Sequence, residues 1–255
     1  MKIKMVLLLV LFSLSIQAAD EDRLLVLTEE WKPFSFEENG KISGVSTAMV
    51  KAILDHANLQ YEIDLLPWKR AYRIANNKKN TILFSVSRIA SRESDFIWVG
   101  PLFLENTSFY RLTEREDIQI NDAADLTRYT IGVSRGGSAE AYLNKNGFKE
   151  NQNYYSYESD QQAEKMLVSD RVDLIPISDM RYLYRRNVGN STLPKVAKAF
   201  TYQSESFYVG INKGTSEKVV KRITESFKQL SQKNFQEKII NNFFLKIKKK
   251  GREAH

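Results

Sequence analysis

Two segments far apart in the chain echo one another: Ser108 to Leu112 reads SFYRL and Ser206 to Ile211 reads SFYVGI. Both are aromatic and apolar enough to predict extended runs. They bracket a stretch with strand and helix patterns of its own. A chain that leaves one folded unit for a second and then returns needs two such crossings, so the echo predicts two lobes joined by two crossover strands.

The patterns on either side of the first crossing agree with that division. Arg23 to Thr28 (RLLVLT) predicts a strand, and turns follow at Asn39-Gly40 and Ser43-Gly44. Val45, Met49, Ile53 and Leu54 then recur at helical spacing through Ala57, and Gln60 to Leu66 alternates as a strand does. A second helix is predicted from Trp68 to Asn76 and a buried strand over Thr81 to Val86. Beyond the first echo the order repeats, with a strand at Tyr129 to Val133, a turn at Gly136-Gly137 and a helix from Ser138 to Asn146. A helix over Gln161 to Ser169, a strand over Val172 to Ile177 and a helix over Asp179 to Arg186 follow. After the second echo come helices over Ser216 to Lys233 and Phe235 to Phe244. Strand, turn and helix in that order, twice over, predict an α/β fold of two lobes. The first lobe is expected over 21–110 and, on the return, 206–255; the second over 111–205.

The start of the chain carries Lys2 and Lys4, an apolar run from Met5 to Ile16 and a small residue at Ala18. This is the pattern of a Sec signal peptide over 1–18, and the run is too short to span a hydrocarbon core of about 30 Å as a helix. The chain has no cysteine, which removes disulfides, thiolate nucleophiles, cysteine-ligated metal and lipid attachment through a cysteine. The expectation is export to the periplasm without a lipid anchor. Without Lys2 and Lys4 the formal charge of +7 falls to +5, and the end from Lys246 holds four lysines and Arg252 against Glu253. The remaining body is nearly neutral, which argues against a nucleic-acid groove. The basic end is expected to be solvated and frayed, with attachment to anionic lipid as the sharper alternative.

The chemistry concentrates in SVSRIASRESDFIWVGP, Ser85 to Pro101. A guanidinium engages a carboxylate through two parallel N–H···O bonds, and hydroxyls such as those of Ser85 and Ser87 can complete the remaining lone pairs. Arg92 follows the predicted buried strand, at the end where open α/β sheets hold ligands. The plain alternative is that Arg92 pairs with Glu93 or Asp95 on a solvated turn. In the second lobe, backbone N–H groups at the start of the helix after Gly136-Gly137 suit an anion, although Ser138 could equally be an ordinary cap on a tight turn.

With these residues in view the chain resembles the periplasmic solute-binding proteins of family 3, the receptor components of polar amino acid ABC importers. The likeness covers nearly the whole exported chain. It rests on Trp31-Lys32-Pro33-Phe34, Gly44 before a long helix, SVSRIASR ending at Arg92, IGVSRGGSAEAYL from Ile131, VDLIPISD from Val172 and the closing FYVGINKGT. The resemblance implies the type II periplasmic binding protein fold, with hinges near Phe109-Tyr110 and Phe207-Tyr208. It implies a ligand stacked on Trp31, gripped by Arg92 with Ser85 and Ser87, and completed by Gly137 and Ser138. In the family an acid five positions after the lobe-two aspartate holds the ligand ammonium. Counted from Asp173 that position is Ser178, with the carboxylate one place later at Asp179. Either the loop takes up the slip or no ammonium is bound. Trp68 could form a second aromatic wall or simply pack. Arg70, Arg73 and Arg88 could favour a second ligand carboxylate or lie on the surface.

The implied role is capture of a small carboxylate-bearing ligand, closure by hinge motion and delivery to the membrane permease of an ABC importer, by a monomer without cofactor or metal. Two alternatives use the same scaffold: a ligand-sensing partner of a membrane signalling protein, and an enzyme resembling cyclohexadienyl dehydratase. For the enzyme, Glu29, Glu30 and Asp179 are the candidate acids or bases, none with a partner evident from spacing. His56 lies on the first predicted helix and His255 ends the chain, so neither suggests a dyad.

Overall fold

A computed structural model describes residues 23–188 and 194–253. The leader expected over 1–18 and the terminal His255 lie outside the described residues. The chain divides into two compact units. One takes the described residues through Phe103 with Ser206–Phe243; the other takes Leu104–Glu205 with the residues from Phe244 on.

The first unit is built on strands β1 (Leu24–Thr28), β4 (Tyr61–Leu65) and β5 (Thr81–Ser87). β1 lies between β4 and β5 and is parallel to both. β1 and β5 are buried at nearly every position, as parallel strands covered on both faces must be. Helix α1 (Val45–His56) buries Val45, Met49, Val50, Ile53 and Leu54. Helix α2 (Trp68–Asn77) presses Ala71 and Ala75 into a cluster with Leu27, Leu83, Val86 and Phe96. On the return, helix α6 (Glu217–Ser231) packs on α1. There Arg222 donates to the carbonyls of Ala57, at 2.7 and 3.1 Å, and Asn58, at 2.7 Å, and a cation suits the carbonyl end of a helix. A hairpin of β2 (Phe36–Glu38) and β3 (Lys41–Ser43) turns at Asn39-Gly40, both with positive φ.

The second unit pairs β7 (Ile131–Ser134) in parallel with β8 (Tyr154–Tyr157), and a bridge links Ile131 to Leu174. Strand β9 (Ile175–Ser178) runs antiparallel to the far part of β6 (Phe96–Leu112), at Thr107–Tyr110. Helices α3 (Ser138–Lys145), α4 (Asp160–Val168) and α5 (Asp179–Asn187) cover these strands. Two core clusters form, one around Phe109, Ile131, Val133 and Leu143, the other around Tyr110, Leu167, Ile175 and Ile177.

Strands β6 (Phe96–Leu112) and β10 (Val196–Asn212) are each 17 residues long and carry the chain across the division. β6 begins well before the SFYRL run that the sequence marked, and it runs through Gly100-Pro101. Pro101 is exposed, where its missing N–H costs the strand little. The crossing falls after Phe103 rather than at Phe109-Tyr110. Those two residues are 0% and 2% exposed in the cores of the second unit, so they are fixed by packing and make poor hinge positions.

The last helix, α7 (Phe235–Glu253), continues past Phe244 through the basic end expected to fray. Lysine is a good helix former, and half-buried residues recur at 236, 239, 240, 243, 244 and 247 along one side. A helix of 19 residues is about 28 Å long at 1.5 Å per residue. The division assigns its residues from Phe244 on to the second unit, whereas the expectation kept 206–255 together.

Candidate functional site

In the first unit the local structure is built around Ser85. The antiparallel register pairs Tyr208 with Val86 and Val209 with Phe84, leaving Ser85 as the extra residue of a bulge. Its φ is +59°, a strained conformation for a residue with a side chain, and it is 8% exposed. The Ser85 hydroxyl donates to Ser46 Oγ at 2.7 Å, and Ser46 Oγ donates to the carbonyl of Phe34 at 2.8 Å. That carbonyl also accepts the N–H groups of Ser46 and Thr47 at the start of α1. A side chain at Gly44 would meet Phe34 O at 2.3 Å, so glycine is required for this approach. Ser85 is thereby tied to the Trp31 loop, where Trp31 lies 4.1 Å from Phe34 and 4.9 Å from Phe207, ring centre to ring centre.

Arg92 stands on a single 3-10 turn, Ala90–Arg92, after β5. Its guanidinium carbon is 5.2 Å from the centre of Trp68 and 5.5 Å from that of Tyr72, one turn apart on α2. Nη1 lies 3.5 Å from the backbone carbonyl of Ser87. The neighbouring acids are taken by others: Glu93 holds Arg88 through both carboxylate oxygens, and Asp95 accepts the Tyr72 hydroxyl. Burial, reinforced by Asp95, pushes the Tyr72 hydroxyl up to about 12. Among the described residues Arg92 has no carboxylate partner, so the pairing with Glu93 or Asp95 that the spacing allowed does not form. Trp68 and Arg92 come together, Ser87 touches Arg92 through its carbonyl, and Ser85 is occupied by Ser46. Glu29, at the end of β1, is half-buried, and burial raises its pKa. Arg70 and Arg73 are exposed on α2.

In the second unit Gly137 caps α3 and Ser138 is its first residue. A Cβ at Gly137 would sit 2.9 Å from Ser134 O, so the turn is closed too tightly for a larger residue. Glu140 reaches back to the Gly136 N–H at 2.6 Å. The N–H groups of Ser138, Ala139 and Glu140 have no acceptor among the described residues. Tyr202, stacked on Phe109 at 4.5 Å, brings its buried hydroxyl towards Ser138 and Thr107.

Asp179 opens α5, but its carboxylate is engaged from within. It accepts Ser108 Oγ at 3.2 Å and the Tyr110 hydroxyl at 3.1 Å on Oδ1, and Lys198 Nζ on Oδ2. Ser178, the position at which the family's acid was sought, caps α5 instead. Glu105 lies beside this network at 4% exposure. One of its oxygens accepts the Met180 N–H at 3.1 Å and the other has no partner. Burial pushes Glu105 up to about 7, although the Met180 N–H and the Ser178 hydroxyl pull the other way.

Sequence reading overlooked Ser46, Tyr72, Lys198 and Glu105. Tyr72 was accessible to it, four residues after Trp68 on a predicted helix. Glu105 stands alone as an acid in the apolar run PLFLENT, and nothing in the sequence ties Lys198 to Asp179. Among the described residues no cluster of His, Asp and Glu could hold a metal, and no helix is long and apolar enough to cross a membrane.

The profile of the bacterial extracellular solute-binding proteins, family 3, matches residues 24–246. The chain belongs to this family. No curated protein matches the solute-binding protein by sequence. Among solved structures, an ancestral cationic amino acid solute-binding protein superposes with a TM-score of 0.68 at 18% identity, covering 89% of this chain and 98% of its own. The second substrate-binding domain of GlnP from Lactococcus lactis, in an open conformation, gives 0.67 at 15%, covering 86% and 94%. The arginine-, lysine-, histidine-binding protein ArtJ of Geobacillus stearothermophilus gives 0.62 at 19%, covering 87% and 95%. At these identities the likeness speaks for the fold, and it is that of two α/β lobes with crossover strands. Family membership makes solute binding the general role of this protein.

Proposed function

We propose that the protein captures a small carboxylate-bearing solute and delivers it to the membrane permease of an ABC importer. The observation that carries the reading is Arg92, half-buried against two neighbouring aromatic rings of one helix and, among the described residues, without a carboxylate of its own. Such an arginine is held in place and keeps its fork of donors for a partner. Trp31 and Trp68 offer apolar walls. The open N–H groups of Ser138, Ala139 and Glu140, in the turn that Gly137 caps, offer a second place for the anion, and Ser87 lies beside Arg92. Asp179 stays with Lys198 in this reading. Closure about the two crossing strands accompanies binding, because only contacts made in the closed form can favour it.

A thermal-shift screen of the exported protein against α-amino acids, their keto-acid counterparts and dicarboxylates tests this, with Arg92→Ala in parallel. A ligand at 100 times its Kd adds about 2.7 kcal/mol, roughly 5–10 °C for a chain of this size. Arg92→Ala is expected to weaken binding by about 2–5 kcal/mol in calorimetry. Equal affinity of variant and parent for a carboxylate ligand would exclude Arg92 from the site.

A further inference from the structure

We propose that the last turns of α7 form a docking face for the anionic surface of a phospholipid bilayer. The helix has two unlike sides. Ile239, Ile240, Phe243, Phe244 and Ile247 are half-buried and lie along one of them. The other carries Lys238, Lys246 and Lys248, all exposed, and Leu245 stands among them. Leu245 is 64% exposed, the most exposed large apolar side chain among the described residues. Lys249, one turn after Leu245, is exposed as well.

The lysines give this side a positive charge, and Leu245 adds an exposed apolar side chain at their centre. A bilayer surface meets both: ammonium groups reach lipid phosphates while the leucine enters the headgroup boundary. A protein partner fits less well, because protein interfaces favour aromatic residues and arginine and are poor in lysine. This face offers lysine, asparagine and one leucine on a single convex helix, and contact with a bilayer needs no matching relief. The proposal is independent of the ligand site.

The test is flotation of protein recovered from the periplasm of an overproducing bacterium, its first residue checked by mass spectrometry so that the apolar leader does not contribute. Vesicles rich in phosphatidylglycerol are compared with vesicles of phosphatidylcholine. The protein is expected to float with the anionic vesicles only, and to be released as salt shortens the range of the attraction. Each lysine near such a surface is worth about a fivefold change in partition, so Lys246→Glu with Lys248→Glu should lower binding at least tenfold. Leu245→Ala should lower it a few-fold without changing the salt dependence. All three positions are exposed, and an unchanged melting temperature verifies folding. Equal binding to both vesicles, indifference to the charge reversal, or no binding to anionic vesicles overturns the proposal; the last outcome includes the case in which the lysines serve a protein partner.

Discussion

Glu105 is a carboxyl buried among neighbours that satisfy only one of its oxygens. Its folded pKa of about 7 lies above the usual 4.5, so the folded state holds a proton that the unfolded state has already released. Stability is therefore expected to fall as pH rises from about 4.5 to 7 and to stay lowered above that, by up to about 3 kcal/mol. Glu105→Gln removes the titration. In melts at pH 8 the variant should exceed its parent, and at pH 5 the two should coincide; the same difference at both values would show that ionisation is not the cause. At this scale the sequence disclosed residues whose chemistry is local. The place of Arg92 just after β5 was legible because a buried strand, two serines and an arginine follow one another. Its freedom from Glu93 was not, because that depends on Arg88 taking the acid first. The Asp179–Lys198 pair was also hidden, since the lysine arrives on a distant strand.

Among the elements, α4 and α5 are joined by two ion pairs one turn apart, Arg181 with Asp160 and Arg185 with Glu164. Glu164 is 7% exposed, so Glu164→Ala strands a largely buried guanidinium. The expected cost is about 3 kcal/mol, read as a lower urea midpoint at unchanged slope. The more exposed Asp160–Arg181 pair should contribute less. Long periodic elements such as α1 and α6 were readable because their apolar spacing extends over several turns. The β2–β3 hairpin and β8 escaped notice because three or four residues carry too little pattern, even with Asn39-Gly40 marking the hairpin turn. For α7 the misleading signal was charge: consecutive lysines suggested solvent and hid the continuation of the helix past Phe244, which they are well suited to form.

For the whole molecule, the core clusters described above each draw their residues from one unit. The first unit should therefore fold alone if its two segments are rejoined. Replacing Leu104–Glu205 with a short turn and ending the chain at Phe243 is expected to give a soluble protein with mixed α/β circular dichroism and a cooperative melt. Loss of the cooperative melt would mean that the first unit depends on the second. Strands β6 and β10 are neighbours in the sheet: Phe103 stacks on Phe207 at 5.2 Å in the first unit, and Ser204 donates to Asn106 at 2.7 Å in the second. The division was legible in outline from the SFYRL and SFYVGI echo, but the point of crossing was not, because it depends on which residues of a continuous strand are packed on each side. The same adjacency bears on ancestry. A segment that enters and leaves through paired strands can be exchanged between relatives by two cuts at a single seam, so recombination could replace one half of such a receptor while leaving the other half's residues untouched.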